Sequence, residues 1–127
     1  MSSVILDASA MLALVKGEPG METVAEILPN ACMSAVNFSE VVAKLAESAS
    51  SENEIRELLA GFNLLVVPFE QAQSYTAGWL RPITKTLGLS FGDRACLALG
   101  LQLQCPVMTA DQAWAALDIG LEIQVIR

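Results

Sequence analysis

The chain contains no histidine, which excludes Ser-His-Asp and Cys-His catalysis and His-containing zinc sites. Acid-base work falls to carboxylates, lysines, the single tyrosine or metal-bound water. The carboxylates are the residues whose types and spacing suggest chemistry. Only four aspartates occur. Asp7 directly follows the apolar run Val4-Ile5-Leu6, Asp111 follows Pro106-Val107-Met108 closely, and Asp93 opens a long apolar stretch that begins at Ala95. Glu40 lies shortly after a third apolar run, Ala31-Cys32-Met33. Four carboxylates gathered in one pocket repel one another and raise their pKa values unless a hard cation compensates. Mg²⁺ or Mn²⁺ suits all-oxygen ligation, needs only one or two direct carboxylates, and activates water against a phosphodiester.

The elements that must position these acids follow from the hydrophobic pattern. Val4-Ile5-Leu6 reads as a buried parallel strand that stops at Asp7, Ala8 to Val15 as a helix, and Gly17-Glu18-Pro19-Gly20 as a break. Met21 to Leu28 is a second short helix ended by Pro29-Asn30, and Ala31-Cys32-Met33 a second strand. Phe38, Val41, Val42, Leu45, Ala46 and Ala49 then recur at helical spacing. Ser51 and Glu54 form a capping box for a helix with Ile55, Leu58, Leu59 and Phe62 on its apolar face, and Leu64 to Val67 is a strand ended by Pro68. A helix from about Glu70 to Leu80 presents Ala72, Tyr75 and Trp79, with Pro82 kinking or breaking it and Gly88 suited to a C-terminal cap. Ala95 to Leu103 is apolar all round and predicts a buried helix; Pro106 to Met108 is a fourth strand, Asp111 to Leu117 a short helix, and Ile123 to Ile126 a fifth strand.

Strands alternating with helices, without hairpin signals, repeats or linkers, predict right-handed βαβ units and a mostly parallel sheet covered on both faces, in one domain spanning residues 1–127. In such a sheet ligands bind outside the carboxyl ends of the strands, and all four acids are delivered to that edge. Each acid alone also has a purely structural account. Asp7 and Asp111 suit helix N-caps, Asp93 suits a capping box with Ser90, and Glu40 suits a box with Asn37 or an i, i+4 pair with Lys44. Their joint placement at one edge favours the cluster.

The segments Val4-Ile5-Leu6-Asp7-Ala8-Ser9, Asn37-Phe38-Ser39-Glu40-Val41, Leu89-Ser90-Phe91-Gly92-Asp93-Arg94-Ala95 and Val107-Met108-Thr109-Ala110-Asp111 resemble, in order and spacing, the four acidic motifs of PIN domains. The similarity spans the whole chain and is strongest to VapC-type toxin ribonucleases of toxin-antitoxin pairs. This resemblance implies a three-layer α/β/α fold with a five-stranded sheet of order 3-2-1-4-5. It implies an Mg²⁺- or Mn²⁺-dependent endoribonuclease in which Asp7 and Asp93 ligate the ion, Glu40 supports the site and Asp111 completes the quartet. Ser9 and Thr109 match polar positions that orient neighbouring carboxylates, and Asn37 is a further supporting polar residue. It also implies a homodimer and a small antitoxin whose C-terminal segment blocks the site. Many relatives carry a small residue where Arg94 stands; contact with phosphate and pairing with a nearby carboxylate are both open to it.

Other features bound the reading. Arg81 and Lys85 precede the Gly88 turn and are candidates for RNA backbone contact, with an ordinary solvated face as the alternative. Trp79 and Trp114 offer aromatic faces to bases, but their helical spacing favours core or dimer packing. Cys32, Cys96 and Cys105 lack CxxC spacing and sit among apolar neighbours, as small core residues of a reducing, cytoplasmic protein do. No basic leader or membrane-length apolar run is present, so a soluble, unsecreted protein is expected. The glycines form neither a dinucleotide nor a P-loop motif. Fourteen acids against seven bases give a net charge of −7, which opposes indiscriminate RNA binding and predicts narrow cleavage. Aspartyl-phosphate chemistry would want a second aspartate where Ser9 stands. The non-enzymatic alternative is a catalytically silent PIN-like or receiver-like binding module, although a receiver's acidic pair and late lysine are not evident.

Overall fold

A computed structural model describes residues 2–48 and 50–127. Five short strands form one parallel sheet: β1 (Val4–Leu6), β2 (Ala31–Ser34), β3 (Leu65–Val67), β4 (Val107–Thr109) and β5 (Ile123–Val125), in the order β3-β2-β1-β4-β5. Ile5 pairs with Cys32 on one side and Val107 on the other, so β1 is the central strand. The helices are α1 (Ala8–Lys16), α2 (Met21–Ile27), α3 (Ala35–Glu47), α4 (Glu52–Ala60), α5 (Gln71–Thr84) and α6 (Phe91–Leu103). Three 3₁₀ turns, at Leu28–Asn30, Lys85–Leu87 and Gln112–Ala116, complete the described elements. The three-layer α/β/α architecture and its strand order are those expected from the sequence.

Alternating side chains of the sheet feed two cores. Val4, Leu6, Ala31, Met33 and Met108 pack with Ala10, Met11, Val41, Leu45, Ile55 and Leu59 from α1, α3 and α4. Ile5, Cys32 and Val107 pack on the opposite face with Leu80 of α5, Cys96, Leu97 and Leu99 of α6, and Trp114. The apolar run in the middle of α6 is explained by its place against the sheet centre, where Ala95 to Gly100 are all buried. Gly100 faces Val107, and an added Cβ there would strike that side chain.

Several local expectations change. The helix expected from Asp111 to Leu117 is a 3₁₀ turn, and the second helix ends at Ile27 before a Pro29-containing 3₁₀ turn. Pro82 does not end α5, which continues to Thr84. On α3 the buried positions are Asn37, Val41 and Leu45, while Phe38 and Val42 are half-buried; Ala49 lies outside the described residues. Leu58 is exposed, so α4 buries only Ile55 and Leu59. The largest reversal concerns α5, whose buried residues are Gln73, Ala77, Leu80 and Thr84, whereas Tyr75 and Trp79 face solvent. Trp79 is therefore not a core residue; Trp114 is, with no exposed surface. Cys32 and Cys96 are buried as expected, and Cys105 is half-buried.

Candidate active site

Asp7 and Asp111 reach their places through the ends of strands and Asp93 through the first turn of α6, whereas Glu40 lies in the second turn of α3 and not the first, because the helix begins at Ala35. Asp7 ends β1 and caps α1, accepting from the Ala10 N–H at 2.8 Å and from Ser9 Oγ at 2.7 Å through Oδ1. Its Oδ2 accepts from Thr109 Oγ1 at 2.6 Å. Thr109 Oγ1 in turn accepts from the Asp111 N–H, and Ser9 Oγ from the Ala110 N–H. Ser9 and Thr109 thus tie the carboxyl ends of β1 and β4 together around one carboxylate. Those strands flank the switch point at which successive connections leave to opposite sides of the sheet.

Asp7 is only 5% exposed. Burial pushes its pKa up to about 6, against the lowering effect of Thr109, Ala10 and Ser9, with a further upward push from the Asp93 charge. Asp93 occupies the third position of α6 and closes a capping box with Ser90: its Oδ2 accepts the Ser90 N–H at 2.9 Å and its own N–H donates to Ser90 Oγ at 3.1 Å. The structural account of Asp93 is therefore real, and the box also fixes the direction of its carboxylate.

Glu40 enters from α3. Asn37 Nδ2 donates to Glu40 Oε1 at 2.8 Å and to the Gly92 carbonyl at 2.9 Å, clamping α3 to the first turn of α6. The Glu40 carboxyl lies in the space where a Cβ on residue 92 would stand. Gly92 was absent from the residues singled out in the sequence; its signal was its position directly before Asp93. Lys44 pairs with Glu47 rather than with Glu40. The buried Cys96 thiol is held protonated by burial first and then by the negative charges of Asp7, Asp93 and Glu40.

Asp111 stands at the same sheet edge but turned outward. It is exposed, and its Oδ1 caps the following 3₁₀ turn through the Ala113 N–H. Its link to Asp7 runs through Thr109. Arg94 neither pairs with a carboxylate nor extends into solvent. Its Nη1 donates to the Ala77 carbonyl of α5 at 2.8 Å, and its guanidinium lies 5.8 Å from the Phe91 ring centroid. Pro82 deprives the adjacent Gly78 carbonyl of its helical donor, so Arg94 braces α5 where its ladder is weakest. Arg81 and Lys85 are exposed.

Among the described residues, no three Asp, Glu, Cys or His side chains converge as a direct ligand set for a metal ion. What the donors fit is a hydrated hard cation held by one or two carboxylates, with the others acting through water. Asn37 supports that fit: it is buried, and its Oδ1 lacks any protein donor beside Glu40. A separate apolar groove of about 980 Å³ lies over α3 and α4, lined by Phe38, Val42, Ile55, Leu59, Leu64 and Val66. It contains none of the clustered acids.

Comparison of the sequence with curated proteins finds no match. The fold is shared with solved toxin-antitoxin structures. DNA-bound VapBC from Salmonella typhimurium superposes with a TM-score of 0.80 at 15% identity over 100% of both chains. A toxin-antitoxin complex from Klebsiella pneumoniae gives 0.72 at 19% identity, covering 95% of this chain and 100% of that one. FitAcB from Neisseria gonorrhoeae gives 0.69 at 21% identity, over 95% and 96% of the two chains. The PIN domain family matches residues 4–120, nearly the full length, and the chain belongs to that family.

Proposed function

We propose that the chain is a divalent-metal-dependent endoribonuclease, the toxin of a toxin-antitoxin pair, acting as a homodimer. The observation that carries the reading is that Asp7 ends the central strand at the switch point of a PIN sheet, tied to Thr109 of β4, while the Glu40 carboxyl packs against Gly92, next to Asp93 in the first turn of α6. Asp7 and Asp93 would hold Mg²⁺ or Mn²⁺, with Glu40 and Asn37 positioning water around it and Asp111 at the rim. A bound divalent ion supplies a water of lowered pKa and offsets charge on the scissile phosphate. The protein's own part is orientation. Ser9 and Thr109 fix the Asp7 carboxylate, the Ser90 box fixes Asp93, and Asn37 fixes Glu40. Arg81 and Lys85, both exposed, would meet the RNA backbone, while Arg94 donates to α5 instead.

The neighbouring structures include a toxin-antitoxin complex, and the apolar groove over α3 and α4, which starts at Phe38, two residues from Glu40, would seat such a partner on this chain. No described helix is long and apolar enough to cross a membrane, consistent with a protein that meets RNA in solution.

The test is cleavage of a panel of structured RNAs by antitoxin-free protein with Mg²⁺ or Mn²⁺. Cleavage of a narrow subset, abolished by EDTA and reduced by about 100-fold or more in a folded Asp93→Asn variant, is expected. Cleavage that survives both treatments would refute the reading, and a well-folded protein that cuts nothing would favour a catalytically silent binding module.

A further inference from the structure

Phe91 opens α6 two positions before Asp93 and is 51% exposed, although Gly92 beside it is buried. A single phenylalanine left on a surface is ordinary; this one is braced. The ring of Phe69 stands nearly perpendicular to it, at 88° with centroids 5.6 Å apart. The Arg94 guanidinium lies 5.8 Å from the Phe91 centroid and is itself tied to the Ala77 carbonyl of α5. Edge-to-face and cation–π contacts of this kind hold a ring in one orientation. The pair also stands at the edge of the sheet that carries the acids. Asp7 follows β1, Asp111 follows β4 and Glu40 lies on the helix that follows β2, while Phe69 comes two residues after the end of β3. Val67, the last residue of β3, pairs with Ser34, the N-cap of the helix that carries Glu40. Next to Phe91, Gly92 packs against the Glu40 carboxyl.

We infer that Phe91, braced by Phe69 and Arg94, is the platform on which one unpaired base of the substrate RNA stacks beside the scissile phosphate. The assignment rests on the ribonuclease function proposed above and names the part of the RNA that the chain grips. Three observations select a base. First, a chain of net charge −7 with acids at its site repels phosphates, so attraction must come from the uncharged part of the nucleotide. Every base offers a π-face, and stacking on an aromatic side chain is worth about 5- to 150-fold in affinity per base. Second, helix geometry sets the Cα atoms of Phe91 and Asp93 about 5 to 6 Å apart. A base on this ring therefore belongs to a nucleotide at or next to a phosphate held by an ion at Asp93. Third, the ring is already fixed, so little rotamer freedom is lost when a base settles on it. Bases within a duplex have their faces covered, so the platform selects single-stranded RNA. A protein partner fits less well, because neither Phe69 nor Phe91 lines the apolar groove over α3 and α4, and Phe91 is flanked by a guanidinium and carboxylates.

The test uses an RNA that the wild type cuts, with the nucleotides nearest the cut replaced one at a time by abasic ones. Each RNA is given to the wild type, Phe91→Leu and Phe91→Trp. At one position the abasic replacement should lower kcat/KM of the wild type by about 5- to 150-fold. Phe91→Leu, which keeps apolar bulk without a π-face, should lose the same factor on the intact RNA and nothing further on that abasic RNA. Phe91→Trp should cut the intact RNA at least as fast as the wild type and suffer its abasic loss at the same position. Melting temperatures of the three proteins should agree. In EDTA, where metal-dependent cutting stops, a labelled short oligoadenylate should bind Phe91→Leu about 5- to 150-fold more weakly than the wild type. Full activity of Phe91→Leu on intact RNA, or equal losses on intact and abasic RNAs, would overturn the assignment while the ribonuclease function stands. So would a Phe91→Leu chain impaired only in binding an antitoxin. A wild type that cuts no RNA yet binds oligoadenylate through Phe91 would keep the platform and remove the nuclease. One that cuts nothing and binds oligoadenylate no better than Phe91→Leu would remove both.

Discussion

Asp7 is a carboxylate held where water is scarce, and its cost can be signed. Its pKa rises from 3.8 to about 6 on folding, chiefly through burial. The folded chain therefore binds this proton more readily than the unfolded chain, and stability falls as pH rises between those two values. Above about pH 6 the full penalty of a buried negative charge is present unless a cation offsets it. In ion-free protein, Asp7→Asn should therefore stabilise the fold by about 1 to 3 kcal/mol at about pH 7.5 and by little at about pH 4. Thermal unfolding at the two pH values measures this, and an equal or lower melting temperature for the variant at the higher pH would show that Asp7 carries no such penalty. The hydrogen bonds of Ser9 and Thr109 to Asp7 were legible as polar positions in motifs. That both also accept backbone N–H groups from the end of β4 was not, because it depends on strand register.

At the scale of elements, the meeting of α3 and α6 determines where Glu40 sits. Asn37 bridges Glu40 and the Gly92 carbonyl, and Gly92 leaves room for the carboxyl group. Gly92→Ala should separate stability from activity. Alanine favours the helix by about 0.5 kcal/mol or more, yet the Glu40 carboxyl must move, so cleavage should fall about tenfold with an unchanged or higher melting temperature. Full activity in the variant would mean that the Glu40 position is not needed. The capping boxes at Ser51 and Ser90 were readable because each is encoded within four consecutive residues. The face of α5 was not readable: periodicity locates an apolar stripe but cannot say whether the core or another molecule covers it. Arg94 misled for a related reason, since its partner is a carbonyl of α5, seventeen positions away along the chain.

For the whole molecule, the alternation of strands and helices implied a mostly parallel sheet, whereas the order β3-β2-β1-β4-β5 was implied only by the resemblance of the four motifs to PIN domains. Asp7 directly after β1 and Asp93 in the first turn of α6 stand where that alternation of elements put them. The N-cap role of Asp111 was among the sequence alternatives and is what its Oδ1 does; its exposure was not legible, because it depends on how the 3₁₀ turn after β4 packs. The net charge of −7 governs encounter with RNA. A nuclease held to RNA by many cations loses about 1,000-fold or more in affinity between 50 and 200 mM salt. Here kcat/KM on a short target should change by less than about tenfold over that range, because added salt also screens the repulsion between two negative surfaces. A steep decline would point to an extended basic binding surface.

The most direct measurement of the acidic cluster's purpose is Mn²⁺ titration of antitoxin-free protein by calorimetry, at about pH 7.5 and about pH 5, for the wild type, Asp7→Asn and Asp93→Asn. The account predicts saturable binding by the wild type at the higher pH, weaker binding at the lower pH as Asp7 takes up its proton, and loss of most affinity in both variants. Binding unchanged by either substitution, or no binding by well-folded wild-type protein, would contradict it.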